Sequence, residues 1–493
     1  LAGGELLAGG DYGVTNGPWV LPEEYEHASG LLKYTLGNAG RGFALEGMTY
    51  DGHWNATDQI PLRAVNEGLI PLYGNIDPTD GGRSHRWSVS AQAWDTLGAA
   101  QLHAQAYVLD YHLDLFSNFT YFTDPLHGDQ FEQYDSRHVY GGELGFSLPM
   151  NGLDGTGVFS AGAQLREDRI DPVALYDTTR RVRWRTVSVA QARVTSASLY
   201  ASQELRFAPW WHMRLGARLD DYHFDVAASL PANSGATRAA LASPKLTMSF
   251  GPWAQTEYFL DAGSGFHSND ARGTTLSVDP DGLLPVGRVT PLARARGAEV
   301  GLRTTPEPQL RLSASLWTLQ LDSELVLDND ASAIVPSGAT RRYGVELNAA
   351  WEPREWLLMD ADLAWTHARY SEPQPGGQYI PNAPERVLTF GAELNRPYGW
   401  FGGAHLRYFG ATPLTQDDSQ RSRPSLQLDG EVGYVFDGRL RARLTVFNLL
   451  DRRDYDIEYY YASQLRGENA PVNDFHVHPM EPRTLRATVS WQF

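Results

Sequence analysis

The last ten residues, TLRATVSWQF, alternate without a break. Leu485, Ala487, Val489, Trp491 and Phe493 are apolar, and Thr484, Arg486, Thr488, Ser490 and Gln492 lie between them. A period of two places one set on each face of a β-sheet. Upstream, RLRARLTVFNL repeats the pattern, with Leu440, Ala442, Leu444 and Val446 set against Arg439, Arg441, Arg443 and Thr445. Leu357–Trp365 carries Asp360 and Asp362 on its polar face, and Leu109–Leu115 sets Asp110, His112 and Asp114 opposite its apolar residues. About twenty such segments run through the chain, many of roughly 10–15 residues, enough for a tilted span of the hydrocarbon core, which needs about 9–11. Soluble sandwich strands are shorter, nearer 5–6 residues, and no propeller-like repeat is visible.

The connections alternate in length. Short turns are expected near Gly37–Arg41, Asp95–Gly98, Gly251–Trp253, Thr305–Pro308, Pro353–Glu355, Arg396–Gly399 and Asp437–Gly438. Long polar loops are expected near Gly52–Ser84, Ser117–Ser136, Glu167–Arg183, His267–Leu292, Ser371–Pro384, Ala411–Pro424 and Asp451–Glu481. This short–long parity predicts an all-β fold: one large antiparallel up-and-down transmembrane β-barrel over 1–493, turns towards the periplasm and loops outside. Leu440, Ala442, Leu444, Val446 and the Leu485–Phe493 apolar set should face lipid, and Arg439, Arg441, Arg443, Arg486, Thr488 and Gln492 the lumen. Counting strands back from the end also puts Leu1 on the periplasmic side, with a first strand near Gly3–Tyr12.

Composition fits this picture. The chain holds 24 Tyr, 14 Trp and 48 Gly, and strands favour aromatic residues while glycines punctuate turns. No apolar run reaches the length of about 18 residues that a transmembrane helix needs. With 0 Cys, disulfides, thiolate metal sites and thiol nucleophiles are excluded. A net charge of -18 argues against nucleic-acid binding.

Four segments carry a family resemblance. RLTVFNLLDRRDYD (Arg443–Asp456) resembles the penultimate strand and following loop of TonB-dependent outer-membrane receptors. GSGFHSNDARG (Gly263–Gly273) resembles the opening of one of their long external loops. RRYGVEL (Arg341–Leu347) and IPNAPERVLTFG (Ile380–Gly391) resemble further family segments, and all four stand in the family's order. The terminal Phe493, two residues after Trp491, resembles the signal read by the outer-membrane insertion machinery. The resemblance implies a 22-stranded parent, a plug folded in the lumen, and a short box that binds TonB. It further implies uptake of a scarce solute such as an iron–siderophore or a vitamin. About twenty strands are legible, and neither plug nor box is, so the plug and about two first strands are expected to lie outside this chain. The other classes the pattern admits are a passive porin, normally of 16–18 strands, and an outer-membrane barrel enzyme.

Candidate ligand contacts lie in three loops. Ser117–Asp135 offers Phe119, Tyr121, Phe122 and His127, which suit ligand stacking or interfacial packing. GFHSNDARG offers His267, Asp270 and Arg272, or a hydrogen-bonded loop base. The last loop offers His476 and His478, two apart and on one face of a strand, as a half-built metal site or as structural histidines. No catalytic motif is present, so the chain is read as a non-enzyme without cofactor or resident metal. Its expected partners are outer-membrane lipid, TonB through the segment outside this chain, and a small-molecule ligand, metal chelates included. It is expected to be a monomer.

Overall fold

A computed structural model describes residues 3–151, 156–327, 334–396 and 398–492. One sheet of 21 antiparallel strands dominates it. The three-residue strand Gly377–Tyr379 is an addition within a loop, and the other twenty pair strictly with their neighbours in sequence, from Glu5–Thr15 to Thr484–Trp491. The expected alternation holds. Tight turns lie between Gly37 and Arg41, Leu97 and Ala100, Trp253 and Thr256, Glu307 and Leu310, and Arg354 and Leu357. The first strand starts and the last ends on this turn side. Leu1 and Phe493 lie outside the described residues.

Alternation sorts the two faces. Leu102, Leu144, Leu165, Leu199 and Leu219 lie on one face of adjacent strands, with Leu144 66% and Leu219 57% exposed. Such a row is stable only against lipid, so this is the outer face. The opposite, luminal face is polar: Tyr200 donates to Glu143 at 2.6 Å, and Gln164 donates to the same carboxylate at 2.9 Å. Over the described residues the expected facing of the last strands is borne out, and Phe493 lies outside them. Leu485, Val489 and Trp491 are exposed on the outer face. Arg443 pairs with Glu431 at 3.4 Å, Arg441 stacks 3.7 Å over Phe401, and Arg486 stacks 4.7 Å over Phe447, all on the luminal side. Luminal aromatics lie flat over glycines. A Cβ at Gly433 would stand 2.1 Å from Phe401, so that position excludes any larger residue.

The outer face changes character part-way up. On Ala100–Ser117 it reads Leu102, Ala104, Ala106, Val108 and then Asp110, His112, Asp114. On Trp211–Ala228 it reads Leu215, Ala217, Leu219 and then Asp221, His223, Asp225. The apolar part is the lipid band, and the polar part stands in water above it. This overturns one expectation. Glu167–Arg183 is not a long loop: Thr156–Thr179 and Val182–Ala208 continue as a ladder up to a two-residue turn. Arg180 and Arg181 take φ of 52° and 63° there, the geometry a hairpin's right-handed twist favours. Polar residues marked the strands' exit from the membrane, not their end. Arg181 is anchored by its N–H to Gln130 Oε1 at 2.8 Å and its Nε to the Thr79 carbonyl at 2.6 Å.

Among the described residues no ladder joins Glu5–Thr15 to Thr484–Trp491. On the loop side the ring is bridged differently. Within the last loop, Tyr455–Ser463 and Val472–Pro479 form a hairpin, and Ile60–Pro61 from the second loop adds to it as a third strand. Contacts between residues about 400 apart in sequence therefore close this side.

Candidate functional site

The luminal wall of the last strands holds a polar hollow of about 530 Å³, lined by Asp360, His405, Arg407, Asp429, Glu431, Arg443 and Arg486 among others. Arg407, Phe447 and Arg486 also line a second hollow of about 400 Å³ beside it, which reaches Asp456, Met480 and Glu481 at the foot of the hairpin. Arg407 donates to Gln427 at 3.0 Å and Asp429 at 3.2 Å, and His405 lies 3.5 Å from Glu393. This wall offers both charges to a solute, held on strands and so fixed in position. On the first strands the wall offers a stacked aromatic group instead: His27 lies 5.0 Å from Tyr25 and 6.5 Å from Tyr50, and the two phenols meet at 3.3 Å.

Above the wall, the hairpin and two early loops form a clasp. Arg63, on the single-turn helix Leu62–Asn66, donates through Nε to Glu468 at 2.8 Å and through Nη2 to the Ser463 carbonyl at 2.8 Å. Gln59 donates to Tyr461 Oη at 3.1 Å, whose hydroxyl donates to the Phe119 carbonyl at 3.1 Å. Tyr121 is buried and donates to the Gln59 carbonyl at 2.5 Å. His476 is fully buried and stacks 3.7 Å from Tyr461 at 8°. Its Nδ1–H donates to the Asp474 carbonyl at 3.0 Å, which leaves Nε2 to accept from Ser463 Oγ at 2.7 Å. Burial drives its pKa down to about 3, with Arg63 nearby acting in the same direction.

The structure thus unites Phe119, Tyr121, Phe122, His476 and His478 in one cluster, and gives the two histidines structural surroundings. His478 stacks 4.5 Å from Trp19 and bonds Asp456 at 2.7 Å, so the pair does not converge on one point. Among the described residues no group of three or more His, Asp or Glu is placed to hold a metal ion. Phe122 lies under Arg466 at 4.4 Å. His127 stands apart, stacked 4.2 Å from Trp184 and 3.0 Å from Asp124.

A second cluster forms where Gly263–Gly273 ends. Asp270 caps the short helix Ala271–Thr275 by accepting from the Arg272 N–H at 2.8 Å, and the Arg272 guanidinium grips the same carboxylate at 2.7 Å. Burial opposes the Asp270 charge, but Arg272 and Arg137 outweigh it and its pKa is lowered. His267, on the neighbouring strand end, is half-buried. Sequence reasoning missed the luminal residues Tyr25, His27, Tyr50, His405, Arg407 and Asp429. Their only local signal is alternation, which shows that a residue faces the lumen and not whether it faces a hollow.

Beneath the clasp lie three carboxylates. The Asn118 N–H donates to Asp58 at 3.1 Å, and the Asn118 side chain donates to Asp77 at 2.9 Å. Gln130 donates to Asp80 at 3.1 Å. Burial raises Asp58 to about 6, and burial with Asp58 and Asp77 nearby raises Asp80 to about 10.

The family model for the TonB dependent receptor-like β-barrel matches residues 24–449. A search of the curated proteins finds no match. Among solved structures, the unliganded ferric citrate transporter FecA superposes with a TM-score of 0.80 at 13% identity, covering 100% of this chain and 73% of that one. The ferric-catecholate import receptor Fiu from E. coli K12, in its closed form, gives 0.76 at 14% identity, with 99% and 77% covered. The copper transporter OprC gives 0.76 at 14% identity, with 100% and 76% covered. At these identities the structural likeness shows the fold, and the match over residues 24–449 shows the family: the chain belongs to the TonB-dependent receptors, as an outer-membrane β-barrel.

Proposed function

We propose that this barrel is the wall and external vestibule of an energy-coupled receptor that takes up a scarce solute, a metal chelate such as an iron–siderophore being the leading class. The observation that carries this reading is the width of the polar lumen under a woven mouth. Twenty strands exceed the 16–18 of porins, and charged hollows climb the wall to the clasp. The similar folds of receptors titled for ferric citrate, ferric catecholate and copper support a chelate as cargo. A lumen this wide passes solutes unselectively unless filled, so the reading includes a plug and a TonB-binding box in the parent protein. The edges of Glu5–Thr15 and Thr484–Trp491, unjoined among the described residues, are where two further strands would complete 22. The luminal charges, the aromatic group Tyr25, His27 and Tyr50, and the half-buried His127 and His267 are the proposed ligand contacts. Tyr121, Asp270, Arg272 and His476 hold the loops in place.

Uptake of radiolabelled iron chelates by cells expressing the complete gene tests this, with and without functional TonB. The reading expects saturable uptake that disappears without TonB. Uptake that persists without TonB would point to a diffusion channel.

A further inference from the structure

Three rings of the luminal wall are held side by side by the backbone beneath them. Tyr25 and His27 stand on Tyr25–Gly37, and Tyr50 stands on Arg41–Asn55. Asp51 is the ladder partner of His85, which faces His112 in turn, so the group lies above the lipid band. His27 is pressed flat on Gly13, where a Cβ would stand 2.2 Å from the ring. The Tyr50 phenol lies over Gly52, where a Cβ would stand 2.4 Å from its oxygen. Only glycine lets the rings lie so close to the strand.

Two polar groups of this cluster are left idle. His27 donates through Nε2–H to Asp11 at 2.7 Å, and its Nδ1 is then a buried acceptor without a partner. The Tyr25 and Tyr50 oxygens meet at 3.3 Å, beyond the span of about 2.5–3.0 Å of an ordinary O–H···O bond. Only one of the two hydroxyl protons can point at the other oxygen. Among the described residues the second proton has no acceptor. Polar groups packed against a wall and left unused are rare, and each calls for a missing component.

We propose that Tyr25 and Tyr50 bind ferric iron directly as a pair of phenolates, and that the cargo is a ferric chelate with coordination positions open to them. The proposal rests on the reading of this barrel as a chelate receptor and narrows its cargo. Hard oxygen donors suit a hard cation. Small hard cations bond oxygen at about 2.0–2.1 Å, so oxygens 3.3 Å apart subtend about 105–110° at the metal, as two adjacent ligands do. Iron gains two bonds to phenolate oxygen and loses two waters. Both phenol protons pass to solvent, and no electron is transferred. The hydrogen bond with Tyr25, and burial, hold the Tyr50 phenol above its ordinary range, so a trivalent ion displaces these protons where a divalent ion competes poorly. Asp11, 69% exposed, adds negative charge beside the site. A chelate that fills every position of its iron leaves the phenolates nothing to bind.

Titration of the purified protein in detergent with ferric nitrilotriacetate, which leaves two positions of its iron open, tests this. Binding should raise a phenolate-to-iron charge-transfer band in the visible and release two protons per iron. Y25F and Y50F should each weaken iron binding by at least about tenfold, and the double variant should lose the band. Y258F, on the outer face, should leave it unchanged. A hexadentate ferric trihydroxamate should add no band to its own. Heat-dependent gel mobility verifies that each variant is folded, and the contrast between the two chelates on wild type carries the test if one is not. No band in wild type, a band of unchanged strength in both single variants, or a new band with the hexadentate chelate would overturn the proposal. TonB-dependent uptake in a protein without the band would overturn the coordination and leave the receptor reading standing. A band in a protein whose uptake ignores TonB would support the site and contradict the receptor reading.

Discussion

Asp80 is 2% exposed beneath the clasp, and its pKa stands near 10 against an ordinary 3.8, through burial and the nearby Asp58 and Asp77. A carboxyl raised in the fold gives up stability as pH rises. Its contribution is complete below about 3.8 and is lost progressively up to about 10. Asp80→Asn keeps the shape without the charge, so it should stabilise the protein at pH 8 by at least about 1 kcal/mol and have little effect near pH 4. Thermal melts of the two proteins at both pH values check this, and equal melting at pH 8 would refute it. His476 has the opposite sign. Its depressed pKa means that its contribution is whole above about 6.5 and fades as pH falls towards about 3. Protection factors across Val472–Pro479, each rate normalised to the intrinsic exchange rate at its pH, should therefore fall on acidification between those values in wild type, and more weakly in His476→Phe. Neither residue's surroundings were legible beforehand. A histidine two places from another reads as a half-built ligand pair, and only its partners Tyr461 and Ser463 show it to be packed and satisfied.

At the scale of the element, alternation carried most of the information. It located Leu440–Phe447 and Thr484–Trp491 and told their faces apart, because lipid and a polar lumen impose opposite demands on neighbouring residues. Leu444→Arg should accordingly cost about 2–4 kcal/mol by presenting a charge to lipid, whereas Arg443→Leu should cost little beyond its contact with Glu431. Urea unfolding in bilayers would separate the two, and equal losses would contradict the facing. Alternation failed where the demand changed. Above the band both faces meet water, so Glu167–Arg183 looked like a loop while its backbone stayed in the ladder. The clasp was illegible for another reason: Arg63 and Glu468 are 405 residues apart, and no local pattern reports such a contact. Arg63→Ala leaves half-buried Glu468 and Asp474 without their cation and the hairpin without these charged hydrogen bonds, at a cost of about 1.5–3 kcal/mol. Limited proteolysis should then cut within Ser463–Val472 many times faster than in wild type, and an unchanged rate would argue that the hairpin holds itself.

The whole molecule follows one geometric rule: a lipid-facing outer row that gives way to water at a fixed height, around a polar lumen. The chain has 0 Cys, so single cysteines can be placed without background. Spin labels at each position from Leu102 to Asp114, in the protein reconstituted into bilayers, report access to lipid-dissolved oxygen and to a water-soluble nickel chelate. The account predicts oxygen access at 102, 104, 106 and 108 and chelate access at 103, 105 and 107. At 110 and 112 it predicts a switch to chelate access on the same face. A profile without period two, or one in which oxygen access continues past 110, would contradict it.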